Sequence, residues 1–204
     1  MFVRTIYATG DPAELDGAVE GLSTEGRKLL SEQPGFRGFG LVVDRELGKL
    51  AAASWWETAE ARTASDEKLR GRREQLVTPF ARTLATDNWE GVVARPPKDL
   101  AAGAWFRMIR LELDPSAAGL LAETFEKTAL PKLQAMPGFA GGSLLLNEAR
   151  DRGVVGVFWA DRNALAASRA AVASLRGETT AKARVVTRSL EEFEVVFASV
   201  PQPS

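Results

Sequence analysis

The chain has 204 residues, with 26 basic and 27 acidic side chains, no histidine and no cysteine. Those two zeros exclude a Ser-His-Asp triad, a catalytic cysteine, a His/Cys zinc site and any disulfide. A formal net charge of −1 with 45% hydrophobic residues fits a folded globular chain and offers no electrostatic footprint for nucleic acid or an anionic membrane.

From the N-terminus, residues 2–8 predict a strand. The apolar start reaches Asp11-Pro12 too soon for the core of a signal peptide. The longest apolar run is strand-sized, far below the ~20 residues that span a bilayer, so a cytoplasmic protein without membrane or nucleic-acid partners is expected. Asp11 suits a helix N-cap and Pro12 the first helical position. Leu15, Val19, Leu22, Leu29 and Leu30 fall on one broad helical face, which Pro34-Gly35 ends. A hairpin follows, residues 39–44 and 49–56, turning through Leu47-Gly48. A second helical region begins near Thr58, and Pro79 predicts its division into two pieces. Residues 89–94 predict a last strand, and Arg95-Pro96-Pro97-Lys98-Asp99 reads as a linker.

The same order is then written again. Arg4-x-Ile6 recurs as Arg107-x-Ile109, Asp11-Pro12 as Asp114-Pro115, and Pro34-Gly35-Phe36-x-Gly38 as Pro137-Gly138-Phe139-x-Gly141. Leu41 returns as Leu144, Trp56 as Trp159 and Ser65 as Ser168, all at an offset of 103. Trp89-Glu90 becomes Phe193-Glu194 after one inserted residue. A constant offset across separate landmarks marks an internal repeat. The second copy predicts a strand over 105–111, a helix burying Leu121, Phe125 and Leu133, and a hairpin from Ser143 through Asn147 and Gly153 to Trp159. A helix from Asp161 and a strand over 192–198 complete it.

The fold expected is α+β: two tandem ferredoxin-like βαββαβ repeats, 1–95 and 104–200, joined by a linker at 96–103 and followed by a loose tail at 201–204. A four-stranded antiparallel sheet covered by helices on one face must bury the other. Fusion of the two repeats makes that burial intramolecular, which predicts an intrachain, pseudo-dimeric α+β barrel. Pairing of two such chains into a homodimer is a further expectation.

Several residues are candidates for chemistry. Ala51-Ala52-Ala53-Ser54 puts four small side chains in a central strand, so either a helix packs close or a ligand fills the gap. Ala51 and Ala53 are therefore candidate substrate-binding residues, in a pocket expected between sheet and helices of the first half. Arg4 and Arg107 interrupt apolar strands; each is either one half of a cross-strand ion pair, with Glu90 and Glu194 as partners, or a guanidinium aimed at a substrate oxyanion. Trp56 and Trp159, where a strand turns into a helix, are core plugs with the indole N–H bonded nearby, or walls of a ligand site. Tyr7, on the strand face opposite Arg4, is either a phenol donor or a half-buried strand residue. Asn147 replaces Asp44 at the equivalent hairpin position, as a turn residue or a catalytic amide. The run Lys68-x-Arg70-x-Arg72-Arg73 reads as a solvated helix face or a phosphate grip. No carboxylate spacing suggests a metal, and no glycine pattern matches a P-loop or Rossmann turn.

Pro34-Gly35-Phe36-x-Gly38, then Asp44-Arg45-Glu46-x-Gly48-Lys49, then Trp56-Glu57-Thr58-x-Glu60-Ala61 resembles the antibiotic-biosynthesis-monooxygenase-like group of dimeric α+β barrels. The second copy is a fainter version: Pro137-Gly138-Phe139, Asn147 and Trp159-Ala160-Asp161-x-x-Ala164. The resemblance covers nearly the whole chain. It implies an oxidoreductase that oxidises a small aromatic or polyketide-type molecule with molecular oxygen and no cofactor. Members use a Trp at the end of the third strand, an Asn, an Arg and often Tyr or His. Trp56 and Trp159 match the Trp position, and Trp56, Arg4, Tyr7 and Asn147 become candidate catalytic donors, with Arg107 and Trp159 as substrate contacts. The helix position nine residues after the Trp, commonly His in the group, is Ser65 and Ser168 here. The alternative is a non-catalytic barrel of the same fold that binds a hydrophobic small molecule or serves structurally.

Overall fold

The computed structural model describes residues 1–97, 100 and 103–199. Part of the expected linker (98, 99, 101 and 102) and the whole expected tail lie outside the described residues.

Repeat 1 opens with β1 (Phe2–Gly10). Asp11 then accepts the Ala13 N–H at 3.0 Å, and Pro12 starts a single 3-10 turn that leads into α1 (Leu15–Gly21). Helix α1 runs through a π-helical turn, Leu22–Gly26, into α2 (Arg27–Ser31). Gly35 follows with φ +73°, a conformation that costs a residue without a side chain little. Strands β2 (Phe36–Asp44) and β3 (Lys49–Trp56) form the hairpin. Thr58 caps α3 (Ala59–Val77) by accepting the Ala61 N–H, and β4 (Ala81–Arg95) follows.

Repeat 2 reproduces this list: β5 (Trp105–Glu112), α4 (Ala118–Thr124), a π-helical turn Phe125–Ala129, α5 (Leu130–Gln134), β6 (Phe139–Leu146), β7 (Arg152–Trp159), α6 (Arg162–Ala183) and β8 (Val186–Ser199). Asp114 and Asp161 are its side-chain caps. The strands close into one barrel in the order β1-β3-β2-β8-β5-β7-β6-β4. Each repeat thus has the ferredoxin-like order, β4-β1-β3-β2 and β8-β5-β7-β6, and the fold is the expected α+β tandem barrel.

By compactness the chain divides into two units. One holds Met1–Trp89 with the described residues from Val195 on; the other is Glu90–Glu194. The first has a core of Ile6, Leu15, Leu22, Leu41, Leu50 and Phe80 among others. The second is built on Ile109, Leu121, Phe125, Leu144, Val157 and Leu165.

Two expectations change. No second helical piece follows Pro79: α3 ends at Val77, Phe80 is fully buried, and β4 begins at Ala81. Proline cannot donate the N–H that would continue the helix, and the Phe80 carbonyl is instead taken by the Asp11 N–H at 3.3 Å. Both last strands are also far longer than 89–94 and 192–198. The first part of β4 is largely exposed, so it carries no apolar alternation to betray a strand.

Candidate functional site

Strand β3 sorts its small residues by face. Leu50 and Ala52 join the helix-side core, and Ser54 and Trp56 follow on the same face, whereas Ala51, Ala53 and Trp55 point the other way. Over Ala52 and Ser54 there is a cleft between sheet and helices. Its floor is Arg4, Ile6, Phe39, Ala52 and Ser54; its helical wall is Leu22 and Gly26 of the π turn, Leu29 and Leu30 of α2, and Leu69, Arg73 and Leu76 of α3. The cavity measures about 40 Å³, room for a few water-sized groups.

Arg4 is the charged element of the floor, with 3% of its surface exposed. Its Nη1 donates to the Arg62 carbonyl and to Ser65 Oγ, both at 3.0 Å, and lies 3.4 Å from Asp66 Oδ1. The guanidinium also sits 5.4 Å from the Trp56 ring centre. Burial, and then the nearby Arg73 charge, pull its pKa down to about 10, against the raising effect of Asp66. Asp66 is shared: Arg70 and Arg73 reach it at 2.6 and 2.7 Å. Burial pushes the Asp66 carboxyl up, but hydrogen bonds from Arg70 and Arg73 outweigh it and hold the group below the usual carboxylate range.

Repeat 2 has a cleft at the equivalent place, lined by Ile109, Phe125, Ala129, Leu133, Val155, Val157, Val172 and Arg176 among others. Its floor contains no arginine. Arg107 is turned to Glu192, with Nε and Nη2 at 3.1 and 2.8 Å from one carboxylate oxygen, while Nη1 donates to Ser168 Oγ and Nη2 to the Leu165 carbonyl, each at 3.0 Å. The partners differ from those expected. Strand register sets Arg107 opposite Glu192 and puts Glu194 opposite Trp105, so the pair forms two residues earlier on β8. Arg4 finds its carboxylate on α3, and Glu90 pairs with Arg150.

The remaining candidates are dispersed. The Trp56 indole N–H donates to Ser54 Oγ at 3.0 Å in a fully buried position. Trp159 is equally buried, 5.8 Å from the Arg107 guanidinium, but its N–H has no partner among the described residues: Val157 stands where repeat 1 has Ser54. Tyr7 lies opposite Ala51 in the β1–β3 register, on the strand face turned away from the cleft. Asn147 closes the β6–β7 hairpin, accepting the Arg152 N–H at 2.9 Å and donating to Asp151 at 2.6 Å; it lines neither cleft. The structure therefore brings Arg4 and Trp56 together, and not Tyr7, Asn147, Ala51 or Ala53.

Sequence reasoning placed Arg73 only in a basic helix run and Ser54 only in a stretch of small strand residues, and assigned neither to the cleft. Their signals were present: Leu69, Arg73 and Leu76 have the i, i+4, i+7 spacing of one helix face, and Ser54 alternates with Ala52. Among the described residues, no group of three or more acidic side chains could hold a metal ion, and no helix is long and apolar enough to cross a membrane.

The chain shares its barrel with solved proteins of low sequence identity. An anthrone oxidase-like protein matches with a TM-score of 0.71 at 13% identity, over 98% of this chain and 92% of its own. The fold is that of the antibiotic-biosynthesis-monooxygenase-like barrels. A Listeria monocytogenes ferredoxin-fold protein described as related to antibiotic biosynthesis monooxygenases matches with a TM-score of 0.53 at 8% identity, over 98% and 95%. By sequence, the chain is 26% identical over all its 204 residues to Rv2558, an uncharacterized protein of Mycobacterium tuberculosis strain H37Rv, covering 86% of that relative. No family model matches the chain.

Proposed function

We propose that this is a cofactor-independent monooxygenase-like protein whose repeat-1 cleft takes a small aromatic or polyketide-type molecule. The observation that carries the reading is Arg4, a buried guanidinium in the floor of a cleft lined mainly by apolar side chains. A fixed cation beside a phenolic or enolic oxygen lowers the cost of the deprotonated, electron-rich form. That form is the reductant: a ring-activated CH2 reacts with one O2, one oxygen atom becomes the new carbonyl, and the other leaves as water with the two hydrogens. Similarity in fold to an anthrone oxidase-like protein supports this chemistry. Ser65, in the position where the resembled group commonly has histidine, holds Arg4, so this chain offers positioning and charge rather than an imidazole base.

The test is oxygen consumption with a panel of anthrones and naphthols, comparing wild type with Arg4→Met and Trp56→Phe. Uptake that falls at least tenfold in Arg4→Met supports the reading. Binding without uptake by the wild type across the panel supports the second reading, a non-catalytic small-molecule binder. The bonding of the Trp56 N–H to Ser54, which leaves that indole no donor for a substrate, favours this second reading.

A further inference from the structure

We propose that the repeat-1 cleft selects small apolar carboxylates, and that Arg73 of α3 is its specificity-determining residue. This deepens the reading of that cleft as the ligand site by naming the charge and the head group of what it holds.

The first observation is an excess of positive charge. Arg4, Arg70 and Arg73 all converge on Asp66, within 3.4, 2.6 and 2.7 Å. Arg70 is mostly in solvent, but the side chains of Arg4 and Arg73 are only 3% and 12% exposed. Two largely buried guanidiniums therefore share one carboxylate, and a buried cation short of a counter-charge favours an anion beside it.

The second observation is a donor without an acceptor. Arg73 lines the cleft and spends Nη1 on Asp66, while its Nε–H is buried with no hydrogen-bond partner among the described residues. Such a group is costly to leave unmade, by more than an average hydrogen bond gains. Nε–H belongs to the edge with which a guanidinium meets a carboxylate side-on, and this protein shows that mode in repeat 2, where Arg169 takes the two oxygens of Glu192 through Nε and Nη2.

The third observation is the body that accompanies such a head group. Around Arg4 and Arg73 the cleft is Leu22, Leu29, Leu30, Phe39 and Leu76, which at about 40 Å³ suits a short alkyl body. Repeat 2 supplies an internal control. Arg176 occupies the place equivalent to Arg73, but position 169, equivalent to Asp66, is an arginine that joins Arg107 on Glu192, so no guanidinium is left in the floor.

The experiment is calorimetric titration of the full chain with propionate and with its neutral isostere propionamide, at fixed ionic strength. The expected result is propionate binding at least about tenfold tighter than the amide, as one charged hydrogen bond in a desolvated site provides. Arg73→Met is expected to remove that preference, Arg73→Lys to restore part of it, and Arg176→Met to leave it intact. A melting temperature within a few degrees of wild type certifies each variant as folded; if Arg73→Met fails this, Arg73→Lys and the wild-type probe pair decide. Equal affinity for the two probes, binding of neither, or a preference that survives in a folded Arg73→Met protein overturns the proposal. Oxygen uptake without the preference sinks this proposal alone, and the preference without oxygen uptake sinks the oxygenase reading alone.

Discussion

Arg107 and Glu192 face each other across the β5–β8 register, and the guanidinium meets one carboxylate oxygen through both Nε and Nη2. Arg4, at the equivalent position of repeat 1, has its carboxylate on a helix instead and contacts it only at 3.4 Å. The two arginines are therefore unequal in what they hold together. Arg107→Met is expected to cost about 3 kcal/mol, because it leaves a partly buried carboxylate with the more exposed Arg169 alone. Arg4→Met is expected to cost no more than about 1 kcal/mol, since Asp66 keeps Arg70 and Arg73 and methionine suits an apolar floor. Denaturant unfolding of the two variants measures both, and Arg107→Met should bind repeat-1 ligands as the wild type does.

Acid should unfold the protein through the same carboxylates. Burial pushes Glu192 up, but hydrogen bonds from Arg169 and Arg107 outweigh it, so its folded pKa lies below the unfolded one, as does that of Asp66. A depressed folded pKa gives stability that is complete above the unfolded pKa and lost as pH falls through the folded value. Stability is thus expected to decline below about pH 4. Glu192→Gln should lower the neutral plateau and flatten the acid limb; an acid limb identical to wild type would count against this linkage.

The two tryptophans predict opposite responses to a hydroxyl. Ser54→Ala strands the buried Trp56 N–H and is expected to cost about 1–3 kcal/mol. Val157→Thr offers Trp159 the acceptor that repeat 2 lacks, so it should be neutral or stabilising by about 1 kcal/mol. Thermal unfolding of each variant checks the pair, and a strongly destabilised Val157→Thr would refute the account of the orphaned indole.

Glycines divide by what a side chain would meet. A Cβ on Gly138, at φ +76°, would stand 2.4 Å from the Ala164 Cβ, and one on Gly35 would stand 2.7 Å from that of Ala61. Alanine at either site is expected to cost at least about 2 kcal/mol. Gly71 of α3 and Gly177 of α6 have nothing within 4 Å of the same atom, so alanine there should stabilise by about 0.5–1 kcal/mol. Melting temperatures of the four single variants sort them.

Local chemistry made most of the architecture legible. Asp11, Thr58, Asp114 and Asp161 announce helix starts through side chains that reach only two or three residues on, and Gly35 and Gly138 announce turns by tolerating positive φ. The repeat itself is a property of the letters, an offset of 103 that needs no coordinates. The run of small residues on β3 does not by itself mark a cleft, because repeat 2 has one over the bulkier Val155 and Val157.

Tertiary structure alone decided which residues meet there. Whether Ala51 or Ala52 faces the helices depends on which side of the sheet the helices cover, and one step along a strand reverses it. Which acid serves Arg4 or Arg107 follows from strand register and helix docking, both set by contacts 58 to 85 residues apart in sequence. The π turns at Leu22–Gly26 and Phe125–Ala129 leave no mark in composition. Capping and turn preferences act within a few residues and are written where they act, whereas charge pairing and cavity shape are sums over distant segments that only folding brings together.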